Sequence, residues 1–314
     1  MYRAYAEEYD LPLFYQPWFL DVACGSSGGA WDVILATSEG GEILGVWPYF
    51  LKSKYGFKTL TLPPLTPFLG PLMTNTDDTH VKPSTRRSKN RKILRDLIGH
   101  LPSASRLIVQ TPPMFDNWRP LSWKGFHQTT RYTLRIDLRK RKEELEANLR
   151  DRLRNHISQA RKVISISTKG SSKDLYDLSE QTFAKQRLSV PYGYNTFCSI
   201  YDASIARDQG FCFIGHEQEI PKAGLFVGRD HNTAYLLVTG RSHDAHNGAV
   251  ALLIWESMMH MKELGVETFD FEGSMIEPIA TFFDGFGGEL VPYHRLTKTK
   301  TKGHRLIFEL LGKI

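Results

Sequence analysis

The sequence has only three cysteines, Cys24, Cys198 and Cys212, and no C-x-x-C pair among them. An odd count without paired spacing argues against a disulfide framework and leaves reduced thiols in a cytoplasmic chain as the expectation. Apolar runs are short. None approaches the roughly 20 residues that a helix needs to span a bilayer. The first ten residues carry Glu7, Glu8 and Asp10 and no apolar stretch of the kind a signal peptide requires. The glycine loop Gly25-Ser26-Ser27-Gly28-Gly29 lacks the lysine and spacing of a phosphate-binding P-loop. The second run, Gly285-Phe286-Gly287-Gly288, places Leu290 where a dinucleotide fingerprint needs its third glycine, so it reads as a turn.

Acidic charge is in shorter supply than basic. The net charge is +6, and the bases are clustered. Residues 82–95 hold Lys82, Arg86, Arg87, Lys89, Arg91, Lys92 and Arg95, and residues 139–162 hold nine bases against four acids. Lys298, Lys300 and Lys302 form a third group. Solvated helix faces account for most such runs; the alternative is a surface that meets phosphates, whether of a nucleotide sugar, a tRNA or a lipid head group.

At 314 residues the chain has room for two cores. Residues 31–37 and 43–51 alternate as strands about a polar turn, and 84–101 reads as a basic helix. Residues 131–138 alternate as a strand. The spacing of Leu145, Leu149, Leu153, Ile157, Ala160 and Ile164 predicts one long amphipathic helix over 142–163. Helices over 174–187 and 197–209 flank an aromatic loop with Pro191. From there a strand at 235–239, a polar loop at 241–248, an apolar helix at 249–264 and a strand at 268–271 make a βαβ unit, and the start of its helix favours anions. The domain boundary is placed at Asp137, giving units over 1–137 and 138–314, with the C-terminal tail able to return to the first.

Candidate site residues follow from this pattern. Arg241, Asn247, Gly248 and Ala249 mark the donor side, with Asn247 as helix cap, Gly248 as a point of close ligand approach and Arg241 as a charge. Asp270 and Glu272 alternate with Phe269 and Phe271 on one face of a strand, where a carboxylate could hold or deprotonate an amine. Arg187, Tyr192 and Tyr194 surround the aromatic loop as acceptor contacts. His243 and His246 are three apart, without a third ligand placed near them, and no metal is expected.

The run Phe269-Asp270-Phe271-Glu272-Gly273-Ser274, followed by residues 279–290 (Ile279 to Leu290), resembles the C-terminal signature of the FemABX-like branch of the GNAT superfamily. The stretch from Leu153 to Lys162 is similar to the basic helix of that branch, and Arg135-Ile136-Asp137-Leu138 fits as well. The resemblance implies an α/β fold of two tandem GNAT-like domains with mixed sheets. It also implies an acyltransferase that moves an acyl or aminoacyl group to an amine of a cell-envelope or polysaccharide precursor, with acyl-CoA as a candidate donor. One departure stands out. Peptidoglycan-bridge enzymes of the branch carry F-K-x-G-F-G, and Phe283 occupies the lysine position here. Aminoacyl-tRNA as donor loses a stabilising cation, and ordinary acyl transfer gains weight. A peripheral contact with an anionic membrane surface is a candidate interaction, while the helix over 142–163 offers no aromatic platform for reading nucleic-acid sequence. A non-catalytic GNAT-like module that binds an anion is the competing class, and a nucleic-acid binder the third.

Overall fold

One order of elements occurs twice in the computed structural model, which describes residues 1–25, 27–74, 81–115, 117–301 and 303–304. In chain order the elements are α1 (Tyr2–Glu8), a 3-10 turn (Leu13–Tyr15), α2 (Pro17–Gly25), β1 (Gly29–Thr37), β2 (Ile43–Lys54), β3 (Phe57–Thr61), β4 (Leu72–Met73), α3 (Pro83–Gly99), β5 (Arg106–Gln110), α4 (Arg119–Ser122) and β6 (His127–Asp137). They continue as α5 (Lys142–Ala147), α6 (Asp151–Ala160), β7 (Ser165–Ser167), α7 (Ser172–Lys185), α8 (Tyr194–Ile205), β8 (Gly210–Glu217), β9 (Ile220–Arg229), β10 (Thr233–Arg241), α9 (Ala249–Glu263), β11 (Thr268–Asp270), α10 (Glu277–Asp284) and β12 (Glu289–Thr299). None of the described helices is long and apolar enough to cross a membrane.

The chain divides into two units that are not consecutive in sequence. One holds Met1–Glu8, Cys24–Arg131 and the stretch from Pro292; the other holds Tyr9–Ala23 and Tyr132–Val291. The cut at Asp137 with a returning C-terminal tail covers one exchange of chain and leaves out the other, the transfer of Tyr9–Ala23 to the second unit. Residues 9–23 join the second unit because a buried aspartate recruits them: the Leu13 amide donates to Asp230 Oδ2 at 3.1 Å, and Tyr235 Oη donates to the same oxygen at 2.8 Å. Phe14 then packs on the Tyr235 ring with centroids 4.7 Å apart. Burial pushes the Asp230 carboxyl above its usual range, and the amides and hydroxyl that donate to it oppose that shift.

In the first unit β1, β2 and β3 run antiparallel, α3 crosses over, and β5 returns parallel to β3. β12 pairs antiparallel with β5. The second unit repeats the order: β8, β9 and β10 are antiparallel, α9 crosses over, and β11 returns parallel to β10, with β6 antiparallel to β11. Parallel neighbours need such helical crossovers: α9 is buried along most of its length, while α3 is the basic helix and buries only Ile93, Leu94, Leu97 and Ile98. In the second unit, α6 and α9 share a core with Leu225, Val227 and Leu236. Sheets covered by helices read as near-continuous apolar runs, which is why residues 235–238 announce a buried strand.

The stripe from Leu145 to Ile164 is buried as its spacing predicts, but the helix is not continuous. It breaks between Ala147 and Asp151, and the Arg150 amide donates to the Gly285 carbonyl at 2.9 Å instead of continuing the ladder. The glycine run that follows α10 is thus the seat of this break. Of the basic groups, Lys302 lies outside the described residues.

Candidate functional site

Asp270 ends β11, in register with Arg135 on β6 and Tyr235 on β10. Its carboxylate is fully buried, and both of its oxygens accept hydrogen bonds. Thr133 Oγ1 donates to Oδ1 at 2.5 Å, Arg135 Nε to Oδ2 at 2.7 Å, and the Glu272 amide to Oδ1 at 2.7 Å. A carboxylate committed to three donors shapes its surroundings and is not placed to collect a proton from a substrate. The expectation that Asp270 is free to act as base is corrected accordingly: its oxygens are already engaged by Thr133, Arg135 and the Glu272 amide. Thr133 and Arg135 read in the sequence as the polar face of a half-solvated strand, and nothing there signalled that they turn toward an acid.

Glu272 does not share a strand face with Asp270, because β11 stops at Asp270. The backbone turns instead. Glu272 has φ +59° and Gly273 φ +73°, so two consecutive residues are left-handed. A Cβ at Gly273 would run into the Tyr132 carbonyl, which makes glycine obligatory there. Glu272 has no such exemption, and a non-glycine residue held in this region costs roughly 1–3 kcal/mol. The turn is held by the amide bond to Asp270 described above. It leaves Oε1 of Glu272 shut off from solvent and without a hydrogen-bond partner among the described residues. Burial, and then the charge of Asp270, hold this carboxyl well above the usual glutamate range. Strain, a missing partner and a displaced pKa in one side chain mark a functional candidate.

Tyr192, one of the predicted acceptor residues, is half-buried in the segment between α7 and α8. Its phenol is pushed up chiefly by burial, then by the charges of Tyr176 and Glu272, with a hydrogen bond to Ser179 working in the opposite sense. The ring stacks on Phe197 with centroids 5.9 Å apart, and Tyr176 Oη donates to the Tyr192 carbonyl at 3.2 Å. Ser179 is buried in the middle of α7, and a lone serine on an amphipathic helix gave no sequence signal. Tyr194 is exposed and stands edge-on to Tyr176 at 5.1 Å. Arg187 is exposed with φ +58°, at the position past α7 where glycine is usual. Its amide bonds the Ala184 carbonyl and that of Leu188 bonds Phe183, a Schellman ending. No described contact ties Arg187 or Tyr194 to Glu272.

The donor-side residues are placed differently from expectation. The cap of α9 is Gly248, with no side-chain cap bond, and Asn247 is exposed beside it. Gly248 faces protein: a Cβ there would run into the carbonyl of His156 on α6. Its smallness lets α6 and α9 meet rather than letting a ligand in. The amides of Gly248 and Ala249 are already engaged by His246 Nδ1 and the His246 carbonyl, at 3.1 and 2.9 Å. Arg241 is spent as well, donating through Nη2 to the Ala245 carbonyl at 2.7 Å and bracing the loop from inside. What remains open to an anion is the backbone: the amides of Val250 and Ala251, in the first turn of α9, take no partner from the described residues. His246 is used within the loop and Asp244 pairs with Lys222 Nζ at 2.5 Å. Among the described residues no group of three or more His, Cys, Asp or Glu side chains could hold a metal ion.

Two substitutions separate packing from binding at this loop. Gly248→Ala should cost about 1–3 kcal/mol by overpacking α6 against α9, read as a lowered Tm without ligand. Arg241→Ala should cost about 1.5–3 kcal/mol of loop order and weaken a donor only in proportion to that loss. A Gly248→Ala protein as stable as wild type would overturn the packing role.

Residues 139–277 match the family of the acetyltransferase (GNAT) domain. Among solved structures, the chain is similar to FemX at 13% identity, covering 98% of this chain and 97% of that one with a TM-score of 0.68. It is similar to the C-terminal domain of a putative lysylphosphatidylglycerol synthetase from Agrobacterium fabrum at 13% identity, over 94% and 93% of the two chains, with a TM-score of 0.54. A tandem GNAT protein from the clavulanic acid biosynthesis pathway aligns at 11% identity over 87% and 83%, with a TM-score of 0.51. No curated protein sequence matches the chain.

Proposed function

We propose that this chain, which carries a GNAT domain over residues 139–277 and resembles FemX in fold, is an acyltransferase of the FemABX-like branch that passes an acyl group to an amine of a cell-envelope precursor, with Glu272 receiving the proton of the attacking amine. The observation that carries this reading is the left-handed backbone of Glu272 together with its buried Oε1, which has no partner among the described residues. A base works best with a pKa near the operating pH, and the upward displacement of Glu272 moves it that way. The amine nitrogen attacks the donor carbonyl carbon, its proton goes to the Glu272 carboxylate, and the bond from that carbon to the carrier breaks. Tyr192, whose phenol stays protonated, supplies a hydrogen bond or a proton to the departing group. Asp270 holds Glu272 in place. The amides of Val250 and Ala251 and the dipole of α9 are the proposed contact for the anionic part of the carrier.

One feature favours an acyl thioester over aminoacyl-tRNA as donor. Phe283 stands at the lysine position, and its ring packs on Phe271 at 4.8 Å as part of the core, so no cation takes that place. The envelope acceptor rests on analogy with FemX and the lysylphosphatidylglycerol synthetase domain, at the level of fold. Arg187 and Tyr194 are proposed to meet the far part of the acceptor. A cytoplasmic site of action, with peripheral contact to an anionic membrane surface, belongs to the same reading.

The test is transfer itself. The protein is incubated with acetyl-CoA, or with an aminoacyl-tRNA, and a set of amino sugars and lysine-bearing peptides, and products are weighed by mass spectrometry. One acyl group gained on an amine is the expected result. Tight acetyl-CoA binding with no transfer to any amine would favour the non-catalytic module instead.

A further inference from the structure

The basic run at residues 82–95 is not uniform once folded. Lys82, Arg87, Lys89, Lys92 and Arg95 are exposed, as a solvated face requires. Arg86 and Arg91 are half-buried, and both line a cavity of about 290 Å³ in the first unit. Arg86, Asn90 and Leu94 lie at i, i+4 and i+8 on α3 and so present one face, with Arg91 at its margin. The opposite walls are apolar. Met73, on the short strand β4, and Phe115, in the turn after β5, line them. Neither arginine has an acidic partner among the described residues, and no carboxylate is among the described lining. Among the described residues the side chain of Arg91 bonds only Ser88, at 3.4 Å and one turn back on its own helix.

We infer that this cavity is a second ligand site, separate from the transfer site, that takes a phosphate monoester bearing a compact apolar or aromatic group. Two guanidiniums and an amide supply more donors than a carboxylate can use, and they match a tetrahedral dianion. Partly desolvated arginines that have no counter-charge among the described residues gain most from an anion that enters with them. The apolar walls then cover the organic part of the ligand, in the usual division of a small-molecule pocket. This reading goes beyond the transfer reaction and does not depend on it.

The probe is phenyl phosphate, titrated by calorimetry and by ³¹P NMR against wild type, with phenol and inorganic phosphate as the two halves tested alone. Phenyl phosphate should bind more tightly than either half. Arg86→Gln and Arg91→Gln should each weaken it about tenfold or more, while Arg87→Gln, on the exposed face of the same helix, should change it by about twofold or less. Thermal melts would verify that the variants remain folded. No binding to wild type would overturn the proposal, and so would equal losses in all three variants, which would report bulk charge and not a pocket. Binding is read without any transfer assay, so the pocket and the acyltransferase reading fail independently.

Discussion

Glu272→Gln is expected to lower kcat by about 10²–10⁴-fold, the range that a positioned general base supplies, with little change in KM. Glutamine keeps the shape and the amide turn and removes only the titratable group. In wild type, kcat should rise with pH through the displaced pKa of Glu272, because the carboxylate is the form that accepts a proton. This limb should lie well above the ordinary glutamate range and should be absent from the variant. Stability has the opposite sign. A folded pKa raised above the unfolded one gives a contribution that is complete below the unfolded pKa and is lost as pH rises through the folded pKa. Glu272→Gln removes that slope, so above neutrality the variant should melt no lower than wild type. Unchanged kcat together with an unchanged pH profile would end the assignment of Glu272.

Asp270→Ala is expected to be the most destabilising single change near the site, by about 3–5 kcal/mol, because it removes one half of a buried ion pair and leaves the other without a partner. Arg135, only 23% exposed, and the Thr133 hydroxyl would be left facing a void. Chemical denaturation would read this as a fall in midpoint at constant slope. Asp270→Asn is the informative partner. It keeps most of the volume and loses the charge, and that charge is the second cause of the high pKa of Glu272. The acidic limb of the rate profile should therefore move to lower pH in Asp270→Asn. A structural residue without influence on the reaction would lower Tm and leave the limb in place.

The βαβ unit around α9 was legible because a strand, a loop, a helix apolar all round and another strand leave few ways to bury their faces. Asp270 and Glu272 were also visible as a pair, through their alternation with Phe269 and Phe271. Their division of labour was not. It depends on Thr133 and Arg135, more than 130 residues earlier, and on a backbone turn that alternation cannot report. Arg241 and Gly248 show the same limit from the other side. Sequence gives their chemistry, but whether a guanidinium meets a ligand or a carbonyl of its own loop is decided by the fold. The break at residues 148–150 escaped notice because the apolar stripe continues in step across it.

The exchange of chain between the units has a consequence during synthesis. β5 can pair with β12 only after Glu289–Thr299 has left the ribosome, whereas every part of the second unit has by then been made. The unit begun first is completed last, and its β5 edge stays unpaired through the interval in which the other can close. An open edge strand is a template for pairing with other chains, and contacts so distant in sequence form slowly. Slow translation before β12, or truncation ahead of Pro292, should therefore drive aggregation through the first unit, even though every residue removed lies after the second.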